Sequence, residues 1–241
     1  MKSTMLALLM LLWLPARQDA DIDALLARAA SAPDPTFTDS FGEEAADFVP
    51  TGKNPYFILE PGYTMILEGV EDGKSVRIVV TVLAETKTID GVETRVVTED
   101  ETFDGKRREL TRDYFAISAR TNNVYYFGED VDVFRKDGTV THEGSWQSGK
   151  NGARYGLAMP GVPLIGARYQ QETAPEVAMD RGEIVATDDR FECPAGKFEK
   201  VLVTEESTPL EKGKERKRYA RGVGILEDGG ALLVRYGMNL K

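Results

Sequence analysis

The stretch "SVRIVVTVLAETKTIDGVETRVV", Ser75–Val97, decides the fold class of this chain. Apolar and polar residues alternate along it and β-branched side chains are frequent, a pattern that favours a β-strand over a helix. The pair Asp90–Gly91 divides the stretch, and Asp-Gly suits the positive backbone angles of a tight hairpin turn. The stretch therefore predicts a β-hairpin.

The same arrangement continues on both sides of this hairpin. Further Asp-Gly pairs stand at Asp72–Gly73, Asp104–Gly105 and Asp137–Gly138, each between two strand-like runs. Tyr63 to Phe134 is therefore predicted to form an antiparallel meander of several hairpins. Glycines and prolines crowd residues 144–166, which predicts a long loop or a set of bulges before strands resume.

After residue 50 few segments show helical periodicity, and we find no fixed-length repeat and no domain boundary within the β-rich body that begins near Asn54. We therefore predict a mainly β fold: a single large curved antiparallel sheet or an open β-barrel, with a short N-terminal helix. Either form of the sheet limits exposed strand edges and buries one face of every strand. The segment "EKGKERKR", Glu211–Arg218, has charges of alternating sign, which predict a solvated hairpin tip.

The N-terminal residues 1–20 have the features of a signal peptide. Lys2 gives a positive start, and the apolar run Met5–Leu14 is too short to span a bilayer. A hydrophobic N-terminal helix is the alternative interpretation. We predict a short helix and an extended, loosely held connector over 21–53 and a β domain over 54–241. The mature protein is expected to be exported, periplasmic or extracellular, without a membrane span.

Composition narrows the classes of partner and site. The chain of 241 residues carries a formal net charge of −10, which disfavours nucleic acid and anionic membrane surfaces as partners. Its single cysteine, Cys193, rules out an intramolecular disulfide and is expected to be buried. Its single histidine, His142, excludes metal sites that need several imidazoles from one chain. We predict no metal site and no cofactor.

An ordered set of motifs runs along residues 54–227: "TIDGVETRVV", "YYFGED", "GSWQSGKNGA", "MPGVPLIGARYQQE", "PAGKF" and "RYARGVGIL". This set resembles a group of exported bacterial β-rich proteins of unknown function. The last two motifs are also similar, more loosely, to curved single-sheet envelope proteins, among them the carriers that ferry lipoproteins across the periplasm. The resemblance implies an envelope location and a curved sheet, and it implies no reaction. The group does not usually have histidine at the position of His142, which argues against a catalytic role there.

Candidate ligand-binding residues cluster around "NVYYFGED", Asn123–Asp130. Strand alternation places Tyr125 and Phe127 on one face, which we expect to be the core, and Tyr126 on the other. Tyr126 then lies either at the outer surface or at the mouth of a concave face, flat against a ligand. The predicted ligand-binding side chains are Tyr126, Glu129, Asp130, Trp146, Tyr169 and Glu172.

The sequence contains no complete set of catalytic residues. It has no "GxSxG" elbow and no phosphate-binding loop, and His142 and Ser145 point to opposite faces of a predicted strand. We therefore expect an exported, non-catalytic protein that binds a small apolar or amphipathic ligand, or an envelope component, on the concave face of its sheet. Two alternatives stay open. One is a hydrolase of an extracellular polymer, glycoside or ester, that uses paired carboxylates such as Glu129 and Glu172; the other is a purely structural envelope protein.

Overall fold

The chain folds into one large, strongly curved antiparallel sheet that is nearly closed into a barrel, and this confirms the predicted mainly β fold. The structure is a computed structural model that describes residues 36–240; the predicted signal peptide and the predicted helix lie outside the described residues. These residues contain one 3₁₀ helix, Ala45–Asp47. The strands in chain order are β1 Phe48–Val49, β2 Gly52–Asn54, β3 Phe57–Leu59, β4 Tyr63–Glu71, β5 Lys74–Ile89, β6 Val92–Phe103, β7 Lys106–Ser118, β8 Val124–Phe134, β9 Val140–Thr141, β10 Trp146–Gln147, β11 Arg154–Met159, β12 Arg168–Gln170, β13 Glu172–Thr173, β14 Arg181–Cys193, β15 Gly196–Ser207, β16 Glu215–Ala220, β17 Gly224–Asp228 and β18 Ala231–Met238.

The near closure of the sheet depends on the short segment that contains β12 and β13. The strand order is β12-β14-β15-β16-β17-β18-β4-β5-β6-β7-β8-β11-β13, so these two strands occupy its opposite ends. Only Gln171 separates them in the chain. Because β12 pairs with β14 while β13 pairs with β11, the segment joins the two edges of the sheet. Joining the edges encloses the concave face.

The predicted meander is present as β4 to β8, and its turns have the expected chemistry. Asp72, Asp90 and Asp104 have φ values of 52°, 50° and 53°. The glycine after each of them also has positive φ, which is the backbone of a type I′ hairpin turn. The turns fix the register, and Ile89 pairs with Val92 directly across the second of them.

The glycine-rich region 144–166, predicted to be a long loop or a set of bulges, is not one continuous loop, and an irregularity of strand pairing lies between Leu157 and Met159. It contains β10 and β11, and both pair with β8. Gly156 explains part of the difference, because a Cβ atom there would lie 2.5 Å from the carbonyl oxygen of Gln170. This glycine permits the close approach of two backbones inside the sheet and does not mark a loop.

Residues 36–53, predicted as an extended connector, are held firmly against the sheet. The ring of Phe48 packs edge-on against Tyr125 and Phe127, with centroid distances of 5.4 and 5.2 Å. The side chain of Glu43 is fully buried and accepts a hydrogen bond of 3.0 Å from the Ser118 hydroxyl. Packing of the β domain therefore begins before residue 54.

Gly128 occupies a site in β8 where a side chain would not fit. Its φ is 141°, and a Cβ atom there would lie 2.4 Å from the carbonyl oxygen of Trp146. We expect Gly128→Ala to lower the free energy of unfolding by about 2–4 kcal/mol, since both backbone strain and a steric clash result. Urea denaturation measures this loss.

The control for Gly128 is Gly138→Ala. Gly138 also has positive φ, 87°, but no heavy atom lies within 4 Å of the place that a Cβ atom would occupy there. We expect this substitution to cost about 1 kcal/mol, the conformational penalty alone. Equal losses for the two variants would contradict the close approach of β8 and β10.

Candidate functional site

The concave face of the sheet encloses a cavity of about 250 Å³ with two chemically different parts. The apolar part of the wall includes Tyr56, Ile58, Met65, Val80, Phe115 and Ile225. The charged part includes Glu99, Asp113, Glu172, Glu206, Lys217 and Asp228. The two parts adjoin because inward-facing side chains recur at every second residue of a strand, and some strands place a charged and an aromatic side chain at successive inward positions. Asp113 and Phe115 on β7 are one such pair, and Lys217 and Tyr219 on β16 are another.

The β2–β3 hairpin lies outside the main sheet and completes the apolar part of the wall. Asn54, which is fully buried, fastens this hairpin. Its amide nitrogen donates to the carbonyl oxygens of Asn122 and Pro160 at 2.8 and 3.0 Å, and its Oδ1 accepts from the Tyr56 amide at 2.8 Å. Buried polar groups with satisfied hydrogen bonds specify one arrangement of the chain, so the hairpin has a fixed place against the cavity.

The charged part of the cavity shares wall residues with two pockets at the surface. A pocket of about 540 Å³ shares Glu206 and Lys217 with it and extends along the loop before β16. A second pocket, of about 290 Å³, shares Glu99, Lys217 and Asp228 with it. The charged side of the cavity therefore lies next to both pockets.

Lys217 lies where the cavity and both pockets meet. Its Nζ is 3.3 Å from Glu206 Oε2 and 3.2 Å from Asp228 Oδ1. Burial disfavours the ammonium form, but the charges of Glu206 and Asp228 outweigh burial and raise the pKa of Lys217 well above its usual value. Lys217 is therefore a permanent cation that is already engaged by two carboxylates.

Among the carboxyl groups of the cavity wall, Glu99 on β6 has the fewest stabilising contacts with the protein. Within residues 36–240 no hydrogen bond acts on its carboxyl group, and Lys217 is the cation whose charge lowers its pKa. Burial raises the pKa of Glu99 from 4.5 to about 8, and the nearby charges of Asp113 and Asp228 add to this effect. At neutral pH the Glu99 carboxyl group is consequently protonated.

Asp113 and Glu129 form a second acidic group around Tyr126. The Tyr126 hydroxyl donates a hydrogen bond of 2.8 Å to Asp113 Oδ1, and the Trp146 indole donates one of 3.2 Å to Glu129 Oε1. Burial raises the pKa of Asp113 to about 6, against the hydrogen bonds from Tyr126 and Thr111. Burial and the charge of Asp113 raise the pKa of Glu129 to about 8.

Glu172 and Tyr169 belong to the segment that joins the two edges of the sheet. Glu172 is 2% exposed, and burial together with the charge of Asp180 raises its pKa well above the usual value. Tyr169 is 3% exposed, and its hydroxyl has no hydrogen-bond partner among the described residues. Its ring lies directly over Gly182, where a Cβ atom would be 2.8 Å from a ring carbon.

The structure brings most of the sequence-predicted site residues to one region. Tyr126 and Glu172 line the cavity, and Glu129 lines the larger surface pocket. Trp146 packs edge-on against Tyr126, with the ring centroids 5.2 Å apart. Tyr169 lies near the acidic part of the wall, where burial and the charge of Glu206 together raise the pKa of its hydroxyl.

Asp130 is placed differently from the other predicted residues. Its carboxylate accepts hydrogen bonds from Lys87 at 2.8 Å, Tyr114 at 2.5 Å and Gln147 at 3.1 Å. It lines a separate surface pocket with Trp146 and does not line the cavity. The pairing of β7 with β8 is irregular between Asp113 and Phe115, and the fully bonded Asp130 serves to hold strands together beside this irregularity.

Sequence reasoning missed Glu99, Asp113, Glu206, Lys217 and Asp228. Lys217 lies in the segment predicted as a solvated hairpin tip, but it faces the cavity. The usable signal was its position two residues before the aromatic Tyr219 in a strand, which puts both side chains on one face. The loop 208–214, which precedes β16, is the true tip.

Comparison with protein-family models, with curated proteins and with solved structures gave no match to this chain. Within residues 36–240, no three His, Cys, Asp or Glu side chains come together in an arrangement that could hold a metal ion. No helix in the same range is long and apolar enough to cross a membrane.

The contact between Trp146 and Glu129 predicts a fluorescence titration. The chain contains two tryptophans, so in a Trp13→Phe background Trp146 is the sole indole. We expect its emission to change with a midpoint near pH 8, because the group that its Nε1–H contacts ionises with a pKa of about 8. Emission spectra recorded across pH measure the midpoint.

The control for this titration is Glu129→Gln in the same background. It keeps an oxygen acceptor for the indole but removes the ionisable group. We expect the transition near pH 8 to disappear in this variant. A transition that survives it, or a midpoint below about pH 5 in the parent chain, would contradict the raised pKa of Glu129.

Proposed function

We propose that this protein binds a small amphipathic ligand in the cavity enclosed by its sheet, and that it does so outside the cytoplasm. The observation that carries the proposal is the two-part wall of the cavity, apolar on one side and charged on the other. Ligand sites are commonly concave and largely apolar, with a few polar groups that fix the orientation of the ligand. Export rests on the signal-like residues 1–20, and an envelope setting accords with the motif resemblance.

The size of the cavity limits the ligand. About 250 Å³ is slightly below the range of about 300–1,000 Å³ for sites that hold drug-sized molecules. Each methylene group that moves from water into the apolar part contributes about 0.8 kcal/mol. A short alkyl chain with a polar end therefore matches the division of the wall, and 1-octanol is a suitable probe.

Native mass spectrometry and thermal denaturation test this proposal. We expect 1-octanol to bind in a 1:1 complex and to raise the unfolding temperature of the purified chain, because a ligand that binds only the folded state stabilises it. Ala158→Leu, which adds volume inside the cavity, should abolish both effects.

The matched control is Ala84→Leu, which adds the same volume at an exposed position of β5. We expect it to bind 1-octanol as the parent chain does. Absence of binding by the parent chain to 1-octanol and to its charged analogues would overturn the proposed function. Unchanged binding in Ala158→Leu would place the ligand outside the cavity.

Hydrolysis is a second candidate function, and one observation favours it. Glu129 and Asp113 lie around a single tyrosine hydroxyl and have raised pKa values, about 8 and about 6. A protonated carboxyl beside a more acidic one is the arrangement used for general acid and base catalysis. Chromogenic glycosides and esters test it: turnover should fall about 100-fold or more in Glu129→Gln. No turnover by the parent chain rejects this candidate.

A further inference from the structure

We propose that the ligand of the cavity carries a positive charge at its polar end, as a primary alkylammonium group does. This inference rests on the proposed function, because it specifies the chemistry of the ligand for the same cavity. It follows from three features of the wall. Acidic side chains outnumber basic ones, a hydrogen-bond acceptor has no donor, and an apolar surface lies opposite these groups.

Carboxyl groups far outnumber basic groups in the wall. The carboxyl groups that line the cavity are those of Glu99, Asp113, Glu172, Asp180, Glu206 and Asp228. Lys217 is the only basic side chain in this wall among the described residues, and Glu206 and Asp228 already hold it. Lys217 is therefore the single cation that the described residues supply to six carboxyl groups, and buried charges require a partner.

The wall also has acceptors without donors. Gln171 lines the cavity, and its Oε1 is buried without a hydrogen-bond partner among the described residues. Its orientation is set by its Nε2, which donates to Glu206 Oε1 at 3.2 Å. Glu99, which is half-buried, also lines the cavity, and no hydrogen bond within residues 36–240 acts on its carboxyl group. An ammonium group only donates hydrogen bonds and does so in several directions, so it complements these acceptors.

Other charged ligands fit less well. An anion would meet the surplus of carboxyl groups, with Lys217 already engaged. A metal ion would lack an arrangement of carboxylate ligands within residues 36–240. The apolar wall formed by side chains such as Met65, Val80 and Phe115 calls for a hydrocarbon chain behind the charge.

The binding of a cation should release protons from the cavity. Glu99 is faced by Asp113 from β7, Lys217 from β16 and Asp228 from β17, with Glu101 on its own strand. In the empty cavity its pKa of about 8 keeps it protonated at neutral pH. An ammonium ion favours the ionised carboxylate, so affinity should rise with pH up to about 8, by up to about tenfold per pH unit for each proton released.

Isothermal titration with octylammonium, 1-octanol and octanoate tests this inference on the purified full chain. At pH 7.5 we expect octylammonium to bind at least about tenfold more tightly than 1-octanol, and octanoate more weakly than both. Titration of octylammonium in two buffers with different ionisation enthalpies should show release of a proton. Octylammonium affinity should also rise between about pH 6 and about pH 8.

The variant Glu99→Gln tests whether Glu99 causes the preference for octylammonium over 1-octanol. Gln has the shape of the protonated side chain but cannot ionise, so we expect the preference for octylammonium over 1-octanol to fall to about threefold or less. Glu85→Gln, at an exposed position, should behave as the parent chain. Binding of 1-octanol with no preference for octylammonium, or a preference unchanged in Glu99→Gln, overturns the cation inference and leaves the proposed function standing. Binding of none of the three probes overturns both.

Discussion

The free energy of unfolding is expected to fall as the pH rises from about 5 to about 9, and Glu99→Gln is expected to remove a large part of that fall. In the unfolded chain Glu99 loses its proton near pH 4.5, but in the folded protein it keeps the proton until about pH 8. Folding therefore takes up a proton between these two values. Raising the pH through this window disfavours the folded state, and above it the loss is complete.

The size of this effect follows from the two pKa values of Glu99. A change in the pKa of Glu99 from 4.5 to about 8 corresponds to at most about 5 kcal/mol of stability. Because the surroundings of a partly accessible group relax when it ionises, we expect an effect between about 2 and about 5 kcal/mol. Urea denaturation of the parent chain and Glu99→Gln at about pH 5 and about pH 9 measures it. The variant should gain stability relative to the parent chain only at the higher pH.

The control is the exposed Glu85→Gln, which should show no pH-dependent difference from the parent chain. A Glu99→Gln variant that is less stable than the parent chain at about pH 9 would mean that the Glu99 carboxylate is stabilised in the folded state. That result would contradict the interpretation that Glu99 lies among acidic groups without a sufficient counter-charge.

Lys217→Met should be among the most destabilising single substitutions outside the apolar core. It removes the cation that Glu206 and Asp228 contact at 3.3 and 3.2 Å and leaves both carboxylates in a partly buried site. Breaking such a pair by removing one partner costs about 3–5 kcal/mol. We expect this loss near pH 7.5, and urea denaturation measures it.

The matched control is Lys214→Met. Lys214 also contacts a carboxylate, that of Glu205, but its side chain is 62% exposed, against 23% for Lys217. We expect a cost of about 0–1 kcal/mol, as for other exposed ion pairs. Equal losses for the two variants would contradict the role of Lys217 as the counter-charge of the cavity.

Local sequence chemistry was sufficient to predict the long strands of the sheet and most of its turns. Ser75–Val97 carries its strand pattern and its Asp-Gly turn in adjacent residues, and each is visible without knowledge of the rest of the chain. The near closure of the sheet could be predicted from the sequence only in part. It depends on Glu172 pairing with Tyr155 and on Tyr169 pairing with Gly182, contacts that no local pattern records.

The site was predicted in part for a similar physical reason. Tyr126 and Glu172 stood out because an aromatic beside acids, or an acid after a strand, is conspicuous on its own. Glu99 and Lys217 did not stand out, since a charged residue in a strand usually faces solvent. Their inward orientation depends on the curvature of the whole sheet, which encloses one face of every strand.

A crystal structure of the protein grown in the presence of 1-octanol tests the central claim most directly. We predict electron density for the alcohol inside the cavity, with its chain against Met65 and Phe115 and its hydroxyl within hydrogen-bond distance of Glu99 or Gln171. An empty cavity, or one filled by rearranged side chains at a saturating concentration of the alcohol, would contradict the claim that this cavity is a ligand-binding site.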